Sequence, residues 1–376
     1  MSSTSRNKQD EKILQVQGLD ENGNNVWKSV SRIHTGIAAE GTERIEATTT
    51  TDNTNIHNDD LSYSTSTSAT NEANNGQYRK ELPLQLKHLL SPNATVKAHR
   101  KENYLYRHSH DKIDTNLMIL LHGAGDKHQS YHALAKKMNM PQCASLSIHA
   151  SSINNGFGTL PFQLGHTWFT EMDYTNGQPL HRNNFKLISS LDKAVTQLDK
   201  IISLLTVQDG AGAGAGDGWL PENIFLFGFS AGACLAMESC TNRIRKQYLP
   251  LGGAICIAGG IHTAIRSHIS TSKQWDQSAE TPILIIGGTM DDTYPPAKVH
   301  AAVQGYNSFV SKNDGCSSTR NVAKSFIVPE KEHGMIQSEA ETKVIMEFCA
   351  EHMVRRMVNM EGFCEISPDH LNLSTR

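Results

Sequence analysis

The chain has 376 residues, the length of one large domain or two ordinary ones. Its formal net charge of −3 provides no global basic field, so a nucleic-acid-binding protein is not expected. No stretch reaches the roughly 18 uninterrupted apolar residues of a membrane-spanning helix, and the first residues resemble neither a secretory signal nor a transit peptide. Seven dispersed cysteines without a CxxC pair indicate reduced thiols in the cytoplasm, with neither a disulfide framework nor a zinc site.

The first 77 residues differ in composition from the rest of the chain. More than half of residues 46–77 are Ser, Thr or Asn, and such a segment buries too little apolar area to offset the entropy of ordering. The sequence therefore predicts a largely disordered extension over residues 1–77. Within it, two β-rich runs flank an Asn22-Gly23 step, which predicts a hairpin at residues 13–30 that either docks on the main domain or frays.

From residue 78 onward, short β-rich runs alternate with helical patterns. This alternation predicts an α/β domain over residues 78–360, with a mostly parallel central sheet flanked by helices and a tail at 361–376. A long helix is expected at 184–205, and a final helix opens with a capping box at Ser338. The predicted strands are nearly continuous apolar runs, typical of strands covered on both faces; they lie at residues 116–121, 144–148, 223–227, 253–257, 282–286 and 324–328.

A nucleophile candidate follows the third of these strands. The pentapeptide GFSAG at residues 228–232 joins the strand to a helical run, which is the context in which Gly-x-Ser-x-Gly forms a sharp turn with an exposed serine hydroxyl. The flanking glycines remove side chains that would collide with the neighbouring strand and helix. The alternative is an ordinary strand-to-helix turn with a capping serine. The apolar strand before it and the small-residue helix after it favour Ser230 as a nucleophile.

Candidates for an acid and a base follow the last two predicted strands, where parallel sheets place functional groups. Asp291 and Asp292 lie after the fifth strand, and both remain candidates for the acid, against an Asx-type turn. Of 18 histidines, only His333 and His352 lie between the last strand and the tail. His352 falls within the final helix, so His333 in the preceding loop is the better base.

The first predicted strand leads into LHGAGD at residues 121–126. Small residues let the backbone approach a substrate, and the N–H of Ala124 would aim at the same oxyanion as the N–H of Ala231, although Gly-x-Gly also suits phosphates. The glycine-rich run at 209–218 follows a helix and lacks Lys-Ser or Lys-Thr, so it is no P-loop. His128 and His132 share a helical face without the glutamate of a zincin, and neither metal nor cofactor is expected.

Taken together, four motifs resemble the phospholipase/carboxylesterase/acyl-protein-thioesterase branch of the α/β hydrolases. They are LHGAGD, GFSAG, the turn from Gly288 to Asp291, and EHG at 332–334, and the resemblance spans about residues 116–351. It implies an α/β-hydrolase fold and an active-site loop at 158–169, whose Trp168 and Phe169 either line an acyl pocket or belong to the core. The roles that it implies are a catalytic triad and two oxyanion N–H donors: Ser230, Asp291 and His333, with Ala124 and Ala231.

The sequence thus predicts a serine hydrolase that cleaves carboxylic esters or thioesters of small acyl substrates through an acyl-enzyme. Carboxylesterase, lysophospholipase and acyl-thioesterase activities all fit, and peptidase or lipase activity is a weaker alternative. The alternative from another class is a non-catalytic α/β-hydrolase-fold protein whose polar extension recruits partners. The presence of all three triad residue types favours the enzyme.

Overall fold

The computed structural model divides the chain into two units, Thr67–Arg355 and a unit formed by Met1–Ser66 with Arg356–Arg376. The segment 46–77, for which disorder is predicted, and most of the glycine-rich run at 209–218 lie outside the described residues. The residues that the structure describes are 13–19, 25–31, 78–91, 103–151, 160, 165–173, 175–206, 218–261, 280–313, 322–357 and 364–365.

The elements are numbered in chain order. The helices are α1 (Leu84–Leu90), α2 (His128–Met138), α3 (Phe185–Leu205), α4 (Ala231–Arg245), α5 (Pro296–Asn313) and α6 (Glu339–His352). The strands are β1 (Ile13–Leu19), β2 (Asn25–Ser31), β3 (Tyr104–Arg107), β4 (Asn116–Leu121), β5 (Cys143–Ile148), β6 (Met172–Asp173), β7 (Gln178–Pro179), β8 (Ile224–Phe229), β9 (Gly253–Ile257), β10 (Ile283–Gly288), β11 (Ala323–Val328) and β12 (Cys364–Glu365).

The smaller unit contains a three-stranded antiparallel sheet in the order β12-β1-β2. β1 and β2 pair along their whole length, from Ile13 opposite Ser31 to Leu19 opposite Asn25, at the place where the sequence predicts a hairpin. β12 adds a third strand through two paired positions on β1. The sequence did not predict this third strand, because a two-residue strand leaves no periodic pattern.

The larger unit is built on a seven-stranded sheet in the order β11-β10-β9-β8-β4-β5-β3. All six strands predicted as apolar runs are present and parallel to one another, as the α/β expectation requires. The seventh, β3, pairs antiparallel with β5 at the edge. Its side chains are only half buried, and for that reason it lacks the continuous apolar run that marked the others.

Helices cover both faces of this sheet. Leu117 and Ile119 of β4 pack into a core shared with α3 and α4, whereas Met118 and Leu120 point to the opposite core, shared with α2 and α6. Alternate residues of a strand face opposite sides, so β4, which is apolar from Leu117 to Leu121, is buried on both faces. α3 buries its predicted stripe, and the capping box at Ser338 forms at the start of α6. Among the described helices, none has both the length and the apolar character needed to cross a membrane.

Candidate active site

The candidate residues lie at the carboxyl ends of the parallel strands of the seven-stranded sheet. The parallel strands β4, β8, β10 and β11 lead into residues 122–126, Ser230, Asp291 and His333, respectively. Because the carboxyl ends of parallel strands meet at the same edge, side chains and N–H groups from these four distant segments converge there.

Ser230 occupies the sharp turn between β8 and α4. Its φ of 50° and ψ of −116° are strained for a residue with a Cβ, and its N–H donates to the carbonyl of Ile257 at 2.9 Å. A Cβ on Gly228 would lie 2.4 Å from the carbonyl oxygen of Gly232, and one on Gly232 would lie 2.2 Å from that of Leu121. Only glycine fits at these two positions, so the turn that carries Ser230 depends on both glycines of the pentapeptide.

The structure brings Ser230, His333 and Asp291 into one hydrogen-bonded chain. Nε2 of His333 lies 2.9 Å from Oγ of Ser230, and Nδ1 lies 2.9 and 3.0 Å from the two carboxylate oxygens of Asp291. The Asp291 side chain is fully buried and also accepts the Tyr294 N–H at 2.7 Å. A carboxylate that accepts from Nδ1–H leaves Nε2 free to accept the serine proton, which is the tautomer that a general base requires.

The competing candidates lie apart from this chain. Asp292 is exposed, and its carboxylate accepts a hydrogen bond from Oγ1 of Thr293 at 3.3 Å. His352 is the last residue of α6, where its ring packs edge-on against Phe348 at 4.6 Å. Of the two aspartates and two histidines that the sequence left as alternatives, the structure places Asp291 and His333 beside Ser230.

The two N–H groups proposed for an oxyanion lie at the same edge. Ala231 is the first residue of α4, where helix N–H groups lack intrahelical partners, and Ala124 lies in the exposed turn between β4 and α2. Neither N–H donates a hydrogen bond to another described residue. The hydroxyl of Tyr131 anchors the turn, accepting from the Gly123 N–H at 3.2 Å and donating to Asp126 at 3.0 Å.

His122, the first residue of this turn, holds the turn in place through hydrogen bonds that the sequence did not reveal. Its Nδ1 donates to the carbonyl of Gly123 at 2.7 Å, and its Nε2 accepts the N–H of Ala150 at 3.0 Å. These two partners require the neutral ring, and burial lowers the pKa of His122 accordingly. The indole N–H of Trp168 donates to the His122 carbonyl at 2.5 Å, so the turn is fixed from both sides.

Further histidine rings pack around His122. His149 lies 5.4 Å from the ring of His122, 5.1 Å from that of His128 and 4.7 Å from that of His166. Burial, reinforced by the neighbouring His122, His128 and His166, lowers the pKa of His149 to about 3. Among the residues described, no three His, Cys, Asp or Glu side chains are arranged to hold a metal ion.

Acid should therefore destabilise the fold through His149. Between its ordinary pKa of 6.5 and about 3, the unfolded chain binds a proton that the folded chain does not, so the free energy of unfolding falls as pH falls. Since solvent partly screens this half-buried ring, His149→Gln should lose about 1 kcal/mol less stability than the wild type between pH 7 and pH 4.5 in urea titrations. The exposed His181→Gln variant serves as control. Equal losses in wild type and His149→Gln would refute this origin of acid sensitivity.

An open cavity of about 800 Å³ adjoins Ser230. Apolar side chains and backbone form most of its wall, and one acidic and three basic side chains add polarity. Burial raises the pKa of the only carboxyl group among its described lining residues, Glu171, to about 7. The described lining residues are Glu171, Pro179, Leu180, His181, Arg182, Ser230, Cys234, Ala258, Ile261, Thr293, Tyr294, Lys298, Ala301, Ala302 and Gly305.

Trp168 and Phe169 are not among these described lining residues, which corrects their assignment to the substrate pocket. They are 0% and 2% exposed and pack within the main core. Complete burial of two large aromatic side chains against apolar neighbours stabilises the fold more than their placement in the wall of an open cavity would. Their position favours the core alternative, with Trp168 additionally supporting the turn at His122.

The sheet order and the strained serine turn between β8 and α4 are those of an α/β hydrolase. Residues 107–330, more than half of the chain, match the phospholipase/carboxylesterase family model. The chain therefore belongs to the phospholipase/carboxylesterase family, and its larger unit has the α/β-hydrolase fold.

The individual proteins that resemble this chain share only low sequence identity with it. An uncharacterized hydrolase of Mycosarcoma maydis is 29% identical over 195 residues, 51% of this chain and 64% of that protein. An uncharacterized hydrolase of Schizosaccharomyces pombe is 30% identical over 161 residues, 41% of this chain and 57% of that protein. The chain thus spans less than two thirds of the length of either. The crystal structure of Zea mays acyl-protein thioesterase 2 aligns with 65% of this chain and 98% of its own, with 18% identity and a TM-score of 0.47.

Proposed function

We propose that this protein is a serine hydrolase that cleaves carboxylic esters or thioesters through a covalent acyl-enzyme. The observation that supports this proposal is the hydrogen-bonded chain from Ser230 through His333 to the buried Asp291, beside an open cavity. A serine hydroxyl in contact with a neutral imidazole, itself oriented by a buried carboxylate, is an activated nucleophile. Family membership supports the same reaction class.

Acylation begins when Oγ of Ser230 attacks the acyl carbonyl carbon. Its proton passes to Nε2 of His333, and the carboxylate of Asp291 stabilises the imidazolium that forms. The N–H groups of Ala124 and Ala231 donate to the oxyanion of the tetrahedral intermediate. When the carbonyl re-forms, the bond to the leaving group breaks, and His333 returns its proton to the departing alkoxide or thiolate. An alcohol or a thiol leaves, and the acyl group remains esterified to Ser230.

Deacylation repeats the sequence with water. His333 removes a proton from a water molecule as the water oxygen attacks the acyl carbon. The second tetrahedral intermediate collapses, the bond to Oγ breaks, and His333 returns the proton to Ser230. A carboxylic acid is released. The cavity wall formed by Leu180, Cys234, Ile261 and Ala302 provides apolar contact for an acyl chain.

Rapid mixing with a p-nitrophenyl ester tests the covalent step. The expected trace is a burst of p-nitrophenolate approaching one equivalent of enzyme, followed by slower turnover, because the good p-nitrophenolate leaving group makes acylation faster than hydrolysis of the acyl-enzyme. An acyl-thioester assayed in parallel shows which leaving group is preferred. If the protein only binds ligands, it will release neither p-nitrophenolate nor thiol above the rate in buffer, and that result would contradict the proposal.

A further inference from the structure

Lys331 is a buried lysine two residues before His333. Its side chain is 3% exposed, and Nζ lies 2.6 Å from Oε1 of Glu341, whose side chain is 1% exposed. Lysine is seldom so deeply buried unless it is paired, and burying both charges removes two strong hydration shells. The mechanism proposed above does not use this pair. The free-energy cost of burying its two charges therefore suggests another role for it.

The Lys331 ammonium closes the loop around His333. Besides the ion pair, Nζ donates a hydrogen bond to the carbonyl of Met335 at 2.5 Å. Lys331 precedes His333 by two residues and Met335 follows it by two, so one side chain ties the two sides of the loop together. This contact limits how far the imidazole is able to move.

The backbone of Lys331 also contacts the turn that carries Asp291. Its carbonyl accepts the N–H of Met290 at 2.9 Å, and a Cβ on Gly288 would lie 2.0 Å from that carbonyl oxygen. The Glu330 N–H donates to Oγ1 of Thr289 at 2.8 Å. The loop of His333 and the turn of Asp291 are therefore joined directly beside the two residues.

Glu341 lies in the first turn of α6 and links the loop of Lys331 and His333 to the start of that helix. Its Oε2 accepts hydrogen bonds from the N–H of Gln337, the N–H of Ser338 and the hydroxyl of Ser338 at 2.9–3.0 Å. Burial alone would raise the pKa of Glu341, but Lys331 and these hydrogen bonds outweigh it and lower the pKa below its ordinary value. The residue that completes the capping box is thus also the anionic partner of Lys331.

We propose that Lys331 and Glu341 are positioning residues that hold His333 in contact with Ser230 and Asp291. A buried ion pair often adds little stability over an apolar pair of similar volume, but its directional contacts fix one arrangement of the groups that it joins. Here it joins both sides of the His333 loop to the start of a helix. This inference rests on the proposed function, because positioning matters only if His333 transfers the serine proton.

The test compares Lys331→Met with Lys331→Met/Glu341→Gln, using kcat and KM for p-nitrophenyl acetate per active site titrated with a fluorophosphonate. Lys331→Met should lower kcat roughly 10- to 100-fold and change KM less than about threefold, since a small displacement of a proton-transfer group affects chemistry more than binding. The fluorophosphonate labelling rate should fall by a similar factor. The control variant Lys343→Met removes an exposed lysine of α6, the helix that contains Glu341. Its kcat should remain within about twofold of the wild-type value.

The double variant separates positioning from stability. It removes both buried charges, so stability in urea should recover relative to Lys331→Met, while kcat per titrated site should stay low. If Lys331→Met does not fold, the double variant is compared directly with the wild type. Wild-type kcat per site in the double variant, or in a folded Lys331→Met, would overturn the positioning role. Absence of turnover in the wild type would instead overturn the proposed function, and this role with it.

Discussion

Replacing Ser230 by alanine is expected to lower kcat/KM for a p-nitrophenyl ester by roughly 10³-fold or more, because the attacking oxygen is lost and the triad acts as a unit. The residual rate would reflect the oxyanion N–H groups and substrate binding. The fold should persist, since alanine has the same Cβ in the same strained turn and only the contact with His333 is removed.

Thermal unfolding of Ser230→Ala distinguishes loss of chemistry from loss of structure. Its Tm should lie within a few degrees of the wild-type value. Ser203→Ala, whose hydroxyl donates to the Asp199 carbonyl within α3 and which does not line the described cavity, should retain wild-type activity. Near-full activity in Ser230→Ala would contradict the assignment of the nucleophile.

The second large effect is expected at Asp291. The Asp291→Asn substitution should lower kcat by about 10²- to 10⁴-fold, because an amide no longer stabilises the imidazolium and admits the wrong tautomer of His333. Asp292→Asn is the matched control: its carboxylate is exposed and contacts Thr293, so kcat should change less than about threefold. Steady-state kinetics of the two variants decide the assignment, and equal losses, or a larger loss at Asp292, would reverse it.

The parts of the fold that local patterns predict best are those with continuous burial. Five of the six parallel strands are buried almost throughout, because helices cover both of their faces, whereas β11 at the end of the sheet exposes Lys324 and Ser325. The third predicted strand leads into a turn that excludes a Cβ at Gly228 and Gly232. The half-buried β3 and the short β12 carry no such pattern. They form because a neighbouring strand offers unpaired backbone groups, which is tertiary information.

Local sequence patterns also leave several contacts around the candidate site unpredicted, because these contacts depend on tertiary packing. The sequence brought forward Trp168 and Phe169 as possible pocket residues, but their size and apolar character suit the core equally well, and the structure buries them there. Leu180 and Lys298 line the cavity from elements far apart in the chain. The pairing of Lys331 with Glu341 depends on how the loop between them curves, and the capping box alone gave no sign of it.

Locating a covalent adduct tests the central claim most directly. The protein is treated with a fluorophosphonate, which phosphonylates activated serines, and the modified residue is identified by peptide mass spectrometry. The proposed mechanism predicts one equivalent of adduct on Ser230 in the wild type and none in Ser230→Ala. An adduct on another residue, or an actively turning-over enzyme that acquires no adduct on Ser230, would contradict it.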